Sequence, residues 1–408
     1  MDKKAKVDID ELLRVDEQRR ELMQKIEEIN REKNTLTKET AEKGRELKQE
    51  LTRLKIELDG VDAKFFELMN RVPNIPSSDT PIGPDESGNK VLRVIGKKPE
   101  LDFKPKEHWE IGKALDIIDN ERAAVVTGAR FTYLKREAAL LQFAIIQFTL
   151  QVLTSEKILK KIAKKAKLNV NTKPFIPVVP PVMIRPEVMQ KMARLEPRDE
   201  RYHIPSDDLY LVGSAEHTLG PMHMNETFEE TDLPLRYVGY STAFRREAGS
   251  YGKDTKGILR VHQFDKIEME SFGARDQSTI EQDFIVAIQE YLVSALGLSY
   301  RVVQICTGDM GGPDARQIDI ETWMPGQNTY RETHTSDMMT DYQSRQLSTK
   351  YKDKKTGKAE FVHMNDATAF AIGRILIAII ENYQQKDGSV KIPKILVPYC
   401  GFKIIKTR

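Results

Sequence analysis

Apolar residues in the first 72 positions recur with the spacing of a helical hairpin. In the second half of this segment they return at alternating steps of four and three: Leu47, Leu51, Leu54, Leu58, Val61, Phe65, Leu68 and Val72. In the first half they return at heptad steps: Val15, Leu22, Ile29 and Leu36. Such a seam is typical of a coiled coil. Because the polar stretch 35–46, with Gly44, suits a turn between the halves, we predict two long antiparallel helices.

After Pro73 the pattern changes to short strand-like runs separated mainly by turns. These runs are VLRVIG (91–96), VVTGARFTYL (125–134), FIPVVPPVMI (175–184), YLVG (210–213), LPLRYVGYSTAFRRE (233–247), GILRVHQFDKIEME (257–270), SYRVVQICTG (299–308) and QIDIETWM (317–324). Helical patterns cover about 135–167, 279–296 and 369–385. Because turns rather than crossover helices join most of the strands, we predict an α+β fold with a mainly antiparallel sheet flanked by helices. The predicted domains are an arm over 1–73 and a second domain over 74–408.

Composition narrows the class of protein. Of 408 residues, 64 are Lys or Arg and 62 are Asp or Glu, so no overall basic field points to nucleic acid. The two cysteines, Cys306 and Cys400, form no metal motif and fit a reducing compartment. The first ten residues lack the apolar region of a signal peptide. The longest apolar stretch, 138–150, is shorter than the roughly 20 residues that a membrane span needs. We therefore expect a cytoplasmic protein with no membrane partner.

One charged hairpin, FRREAGSYGKDTKGILRVHQFDKIE (244–268), carries the candidate chemistry. Arg245 and Glu247 stand two residues apart, and Arg260, Phe264 and Glu268 stand four apart. A period of two would place each set on one face of a sheet. Guanidinium groups hold phosphate and an aromatic ring stacks on a base, so this face suits a nucleotide. Taken singly, Arg245–Glu247 and Arg260–Glu268 are more often structural ion pairs than parts of a ligand site. The chain has no P-loop, no GxGxxG after a strand, no HExxH and no GxSxG.

Segment 244–268 resembles motif 2 of the class II aminoacyl-tRNA synthetases, and more narrowly that of the seryl-tRNA synthetases. Four other segments resemble the same family in the same order: its dimer-forming motif 1 (174–184), its serine-binding loop GSAEHTLGPMH (213–223), its ATP and metal segment (308–337) and its motif 3 (367–399). A helical N-terminal arm is also typical of this family. The resemblance covers nearly the whole chain and implies the class II fold, with activation of L-serine by ATP and its transfer to tRNA(Ser).

The resemblance also implies a role for individual residues. It implies catalytic roles for Arg245, Arg374 and Glu332. It implies an ATP site with Mg²⁺ bound by Glu332 and Thr335. The ATP-binding residues would be Arg245, Arg246, Glu247, Arg260, Phe264, Glu332, Thr333, His334, Thr335 and Arg374. The serine-binding residues would be Ser214, Ala215, Glu216, Glu268 and Thr368.

The implied partners are L-serine, ATP, tRNA(Ser) bound by the arm, and a second copy of the chain bound through motif 1. Whether the selenocysteine tRNA is also a substrate stays open. The chain departs from the family pattern at Ser214, where threonine is usual, and at Asp366-Ala367, where Asn-Gly is common. The short leader that usually precedes the arm is expected to be missing.

Two hypotheses compete with the serine–tRNA ligase. In the first, a related ligase loads a carrier protein instead of tRNA. In the second, an inactive relative only binds tRNA or acts as a scaffold. A separate alternative concerns the arm alone, whose coiled coil could serve only to dimerise the chain.

Overall fold

The computed structural model describes residues 3, 7–35, 41–248 and 256–407. Contacts divide the chain into two compact units, Lys3–Pro73 and Asn74–Arg408. The α-helices are α1 (Ile9–Lys33), α2 (Ala41–Met69), α3 (His108–Ala114), α4 (Asn120–Thr127), α5 (Arg136–Leu153), α6 (Glu156–Ala166), α7 (Pro186–Lys191), α8 (Glu216–Leu219), α9 (Ser278–Ala295), α10 (Tyr342–Leu347), α11 (Ile372–Asn382) and α12 (Val397–Cys400).

The strands of the described residues all belong to the second unit. They are β1 (Lys90–Ile95), β2 (Ile118–Asp119), β3 (Tyr133–Leu134), β4 (Ile176–Val178), β5 (Met183–Ile184), β6 (His203–Ile204), β7 (Leu209–Leu211), β8 (Thr227–Glu229), β9 (Leu235–Phe244), β10 (Gln263–Gly273), β11 (Tyr300–Gln304), β12 (Arg316–Met324), β13 (Thr329–Thr340), β14 (Lys350–Lys352), β15 (Ala359–Phe361), β16 (His363–Ala371), β17 (Val390–Lys391) and β18 (Ile404–Ile405).

The first unit is the predicted antiparallel pair of helices. Its seam residues Leu22 and Ile29 of α1 pack with leucines of α2 in one buried cluster. Ion pairs join the start of α1 to the end of α2, with Glu11 and Lys64 2.7 Å apart, and the end of α1 to the start of α2. The predicted turn was too long: Gly44 lies inside α2. Residues 36–40, including the predicted seam residue Leu36, lie outside the described residues.

A sheet of eight strands, counted over the described residues, organises the second unit. Its order is β1-β11-β12-β13-β16-β10-β9-β4. Neighbouring strands run antiparallel except β4 and β9, which are parallel. Helices α5, α9 and α11 share one apolar core with the sheet, in which Leu141, Phe284 and Leu376 are fully buried. The predicted α+β fold with a mainly antiparallel sheet is confirmed.

Several element boundaries differ from the prediction. The helix predicted over 135–167 is two helices, α5 and α6, which meet at a bend of 76°. Within VVTGARFTYL, residues 125–127 end helix α4 and only Tyr133–Leu134 forms a strand. The last predicted helix begins at Ile372, because residues 369–371 belong to β16.

No single helix of the described residues has both the length and the apolar character to cross a membrane. Helices α5 and α6 pass that test only when they are taken together as a bent pair.

Candidate active site

Segment 244–268 departs from the large sheet after Phe244, so Arg245 and Glu247 lie beyond the end of strand β9. Strand β9 ends at Phe244 and β10 starts at Gln263. Beyond that point Arg245 N–H donates to His262 O at 2.9 Å. Glu247 has a φ of 52°, in the left-handed region. The predicted alternation of Arg245, Glu247 and Arg260 along strands is therefore wrong, and residues 249–255 lie outside the described residues.

These residues nevertheless meet at one open cavity of about 690 Å³. Its lining includes nine residues predicted from the sequence: Arg245, Glu247, Arg260, Phe264, Glu332, Thr333, Thr335, Thr368 and Arg374. Six further lining residues were not predicted: Ile258, Leu259, Val261, Lys266, Ala371 and Gly373. Glu247 Oε2 accepts a hydrogen bond from Arg260 Nη1 at 2.8 Å. The sequence suggested ion pairs within Arg245–Glu247 or Arg260–Glu268. The structure instead pairs Glu247 with Arg260.

Two arginines supply positive charge to the cavity. Arg374, in the first turn of α11, lies 2.9 Å from Glu332 Oε1 through its Nη1. Burial raises the pKa of Glu332, but the Arg374 guanidinium outweighs it and holds that pKa below its usual value. The Arg245 guanidinium lies 5.5 Å from the centroid of the Phe264 ring, and its Nε donates to Gly213 O at 3.1 Å. The lining of the cavity therefore includes the guanidinium groups of Arg245 and Arg374 and the ring of Phe264.

A hydrogen-bonded cluster centred on Glu268 adjoins the cavity through Thr368 and Lys266. Glu268 Oε1 accepts from Ser214 Oγ and from Thr368 Oγ1, each at 2.9 Å. Lys266 Nζ forms an ion pair with the same oxygen and donates to Ser214 Oγ at 3.0 Å. Glu268 is 2% exposed, and burial, opposed by Lys266, raises its pKa. An anion ringed by hydroxyl donors and a buried ammonium group can hold a small polar cation.

Lys266 is a site residue that sequence reasoning missed. It lines the cavity and is buried, yet it was not chosen among the charges of 244–268. A signal was available, since Phe264, Lys266 and Glu268 alternate along β10 and share one face of that strand.

The comparisons with known proteins agree over both units. Residues 1–76 match the model of the seryl-tRNA synthetase N-terminal domain. Residues 201–383 match the tRNA synthetase class II core domain (G, H, P, S and T). The serine–tRNA ligase of Syntrophobacter fumaroxidans is 39% identical over 404 residues, which cover 96% of this chain and 92% of the relative. The chain belongs to the seryl-tRNA synthetase family. Its members are aminoacyl-tRNA synthetases, and the recognition made from the sequence is confirmed.

Solved structures of seryl-tRNA synthetases match the whole chain. The enzyme of Pyrococcus horikoshii, complexed with ATP, is 36% identical with a TM-score of 0.86, covering 98% of this chain and 93% of that one. The cytoplasmic enzyme of Naegleria fowleri, in complex with AMP, is 30% identical with a TM-score of 0.82, covering 98% and 92%. These matches confirm the predicted class II fold with its helical arm.

Seryl-tRNA synthetases imply a divalent metal beside ATP, and the residues here fit one. Glu332 and Thr335 line the cavity, and Asp319 faces Thr335 across the pairing of β12 with β13. Burial and the neighbouring Glu332 carboxylate raise the pKa of Asp319 well above its usual value. All three groups offer oxygen, the donor that Mg²⁺ prefers. Among the described residues, no three acidic, histidine or cysteine side chains form a ready-made metal site.

Other predicted residues lie outside the cavity lining. The Arg246 guanidinium lies 5.7 Å from the Tyr202 ring centroid. His334 is buried against Thr333 and the Phe370 ring, and burial, which outweighs the nearby Glu332, lowers its pKa to about 3. Ala215 is buried just before helix α8. Arg246, His334 and Ala215 are therefore not part of the lining of this cavity.

Glu216 and Asp366 place further carboxyl groups around the Glu268 cluster. Burial raises the pKa of Glu216, but cations around it, Lys266 and Arg194 among them, bring that pKa below its usual value. Asp366, where the family commonly has asparagine, forms an ion pair with Arg194 at 3.0 Å. Burial, opposed by Arg194, raises the pKa of Asp366 to about 7. The charge added by this departure from the family pattern is therefore partly neutralised.

Proposed function

We propose that this protein activates L-serine with ATP and transfers the serine to the 3′ end of tRNA(Ser), with the cavity between Arg245 and Arg374 as its catalytic centre. One observation carries the proposal. A single cavity places two arginines and an aromatic face beside a buried carboxylate that is bound by two hydroxyl groups. Family membership agrees with it, since the relatives matched over the full chain are serine–tRNA ligases.

The arginines and Phe264 would bind ATP. The Arg245 guanidinium would hold the α-phosphate, and Arg374 would hold the γ-phosphate end. The adenine would stack on Phe264, a contact that depends on ring area and needs no particular hydrogen bond. Glu332 pairs with Arg374 in the structure, so it holds that guanidinium extended toward the cavity.

The Glu268 cluster would bind serine. The substrate ammonium group would meet Glu268 and the ionised Glu216, while the substrate hydroxyl would pair with Thr368 or Ser214. A site that hydrogen-bonds a hydroxyl discriminates strongly against an analogue without one, because its own buried polar groups are then left unpaired. The cluster therefore supports selection of serine over alanine.

The first chemical step needs no general base. The carboxyl group of free serine has a pKa below about 4 and is therefore an anion at neutral pH. The serine carboxylate attacks the α-phosphorus in line, and the bond to the bridging oxygen of pyrophosphate breaks. Arg245 and Arg374 fix the phosphates and neutralise charge that builds up on their oxygens. Mg²⁺ held by Glu332 and Thr335 would add charge neutralisation on the phosphates. In the second step a hydroxyl of the tRNA 3′-terminal adenosine attacks the seryl carbonyl, and AMP leaves.

The helical arm would bind tRNA(Ser). Arg14, Arg20 and Arg31 on α1 are exposed and each pairs with an acidic residue one turn away. Exposed pairs of this kind are worth little, so a phosphate can replace the acidic partner at small cost. Contacts of this type read the backbone and shape of an RNA rather than its base sequence. We also propose a cytoplasmic location, since tRNA is charged in the cytoplasm.

A second copy of the chain would cover the apolar surface around motif 1. Within motif 1, Ile176 and Met183 are each 46% exposed and Val179 is 85% exposed. Strand β4 forms an edge of the large sheet, as its described neighbour is β9 alone. Exposed apolar side chains next to a sheet edge favour an interface. Light scattering should report a dimer, and a monomer at micromolar concentration would contradict this part of the proposal.

Serine-dependent exchange of pyrophosphate into ATP, followed by charging of a tRNA(Ser) transcript, tests the proposal. A serine–tRNA ligase gives both activities. A ligase that loads a carrier protein gives exchange without charging. An inactive relative gives neither, so each rival hypothesis has its own outcome.

A further inference from the structure

A buried histidine connects the start of the second unit to the wall of the ATP cavity. His108 begins helix α3 and is 2% exposed, and Glu381 in α11 is fully buried. His108 Nδ1 lies 3.1 Å from Glu381 Oε1, and Nε2 lies 3.2 Å from the backbone nitrogen of Ile258. Glu381 also accepts hydrogen bonds from the backbone N–H groups of His108 at 3.1 Å and Gly326 at 2.9 Å.

These contacts fix which ring nitrogen carries the proton. A carboxylate can only accept, so Nδ1 must carry the hydrogen that points to Glu381. The backbone N–H of Ile258 can only donate, so Nε2 must offer its lone pair. The order carboxylate, imidazole, amide is therefore a single directed chain of hydrogen bonds from Glu381 through His108 to Ile258.

Close packing limits any other arrangement of this segment. Gly257 has a φ of 73°, and a Cβ atom there would lie 2.0 Å from His108 Nε2. The carbonyl of Gly257 accepts a hydrogen bond from Asn120 Nδ2 at 2.7 Å. Gly257, which comes just before the cavity-lining residues 258–261, is thus in contact with His108 and Asn120, two side chains that lie outside the large sheet.

The anchored segment continues directly into the cavity. Ile258, Leu259, Arg260 and Val261 all line it. On the far side, a Cβ atom at Gly373 would lie 3.2 Å from Ile258 O, so this wall fits closely against the start of α11. Helix α11 thus presents Arg374 at one end and anchors the facing wall through Glu381, two turns further along.

We propose that His108 and Glu381 are positioning residues for ATP, which hold the wall formed by residues 258–261 at the distance from Arg374 that the nucleotide requires. The inference rests on the proposed ATP site. Neither residue lines the cavity, so both act through Ile258. Serine contacts the Glu268 cluster and not this wall, so the effect should be confined to ATP.

Pyrophosphate exchange with His108→Ala tests the inference, with KM measured separately for ATP and for serine. Loss of the acceptor leaves a buried N–H unpaired, and we expect the KM for ATP to rise about tenfold. The KM for serine should change less than about twofold. KM does not depend on the fraction of protein that is folded, so the test holds even if the variant is less stable.

Two further variants separate positioning from a merely structural role. His108→Gln keeps one donor and one acceptor on the side chain and should restore most of the ATP affinity. Glu381→Gln replaces one of the two acceptor oxygens with a donor, which must then face either the Gly326 N–H or the His108 donors. This variant should raise the KM for ATP as His108→Ala does. His203→Ala, which removes an exposed histidine paired with Asp208, is the control and should behave as wild type.

The outcomes are distinct. A lower melting temperature in His108→Ala with both KM values unchanged, or with both raised equally, overturns the inference. Absence of serine-dependent exchange in the wild-type protein overturns the proposed function instead.

Discussion

Replacing Glu268 with glutamine tests the serine site at its centre. The change keeps the size and shape of the side chain but removes its negative charge. Glu268 Oε1 accepts hydrogen bonds from Ser214 Oγ and Thr368 Oγ1 and is paired with Lys266. A glutamine oxygen can still accept from the two hydroxyl groups. It cannot neutralise either the buried lysine or a substrate ammonium group.

The expected effect follows from that lost charge. A hydrogen bond to a charged group contributes about 1.5–3 kcal/mol, more than one between neutral groups. Loss of one such bond to the substrate ammonium should raise the KM for serine by roughly 10- to 150-fold. Phe264, Arg245 and Arg374 are untouched, so the KM for ATP should change less than about twofold.

Serine-dependent pyrophosphate exchange, with each substrate varied in turn, measures both values. Glu290→Gln is the matched control, because Glu290 is bound by Arg93 through two hydrogen bonds on the same unit and does not line the cavity. An unchanged KM for serine in Glu268→Gln would show that this carboxylate does not bind the substrate ammonium group. An equal rise for both substrates would point to a general disturbance of the cavity.

Three further predictions concern the phosphate site, the arm and the buried acids. Arg245→Ala should lower exchange by about 10²-fold or more, as expected for a donor aimed at developing charge, and normal exchange would refute its phosphate role. Deleting residues 9–70 should leave exchange within about twofold and abolish tRNA charging, so unchanged charging would refute the arm's role. Asp366→Asn should flatten the pH dependence of unfolding measured with urea. The folded-state pKa of Asp366 is about 7, above its usual value near 4, so between these values Asp366 binds a proton only in the folded state. The free energy of unfolding of the wild-type protein should therefore fall as the pH rises from 4 to 7, by up to about 1.4 kcal/mol per pH unit. Equal slopes in the variant and the wild type would contradict that assignment.

The arm was predictable because its signal is local. Each apolar residue of the seam packs against another at a fixed heptad position, so spacing alone revealed both helices. The turn was placed less well, since a glycine within a helix costs only about 1 kcal/mol and Gly44 is accommodated in α2. Amphipathic periodicity therefore predicts the elements better than it predicts their ends.

The two middle strands of the large sheet, β13 and β16, were missed because many of their buried residues are polar. Strand β13 reads TYRETHTSDMMT, with few apolar residues, and β16 reads as the start of a helix. Yet His334 and Ser336 in β13 are fully buried. The amides of Gln282 and Gln289 in α9 donate to backbone carbonyls of these two strands, at 2.7 to 2.9 Å. Buried polar side chains replace the alternation by which a strand is recognised, and tertiary contacts stabilise the strand instead.

The site residues were predicted through family resemblance, and the strand geometry expected for them was wrong. Strand alternation was expected to align Arg245 with Glu247, but both follow the end of β9 and Glu247 adopts a left-handed conformation. Their positions depend on contacts far along the chain, such as the hydrogen bond from Arg130 Nη1 to Glu247 O at 3.2 Å. No local pattern encodes such contacts.

Protonation differences among the buried acids explain how this sheet can carry so many carboxyl groups beside a cation site. Asp366 lies between Glu270 and Asp337 in the strand pairing, and burial, together with the neighbouring acids, raises the pKa of Glu270 and of Asp337 well above the usual value. The Glu270 oxygens have no hydrogen-bond partner among the described residues, which a buried carboxylate could not tolerate but a neutral acid can. Glu216, near Lys266 and Arg194, has a lowered pKa and stays ionised. Glu216 therefore keeps its negative charge beside the proposed ammonium site. Glu270 and Asp337 are neutral more readily, and at these positions a charge would cost stability without contacting the substrate.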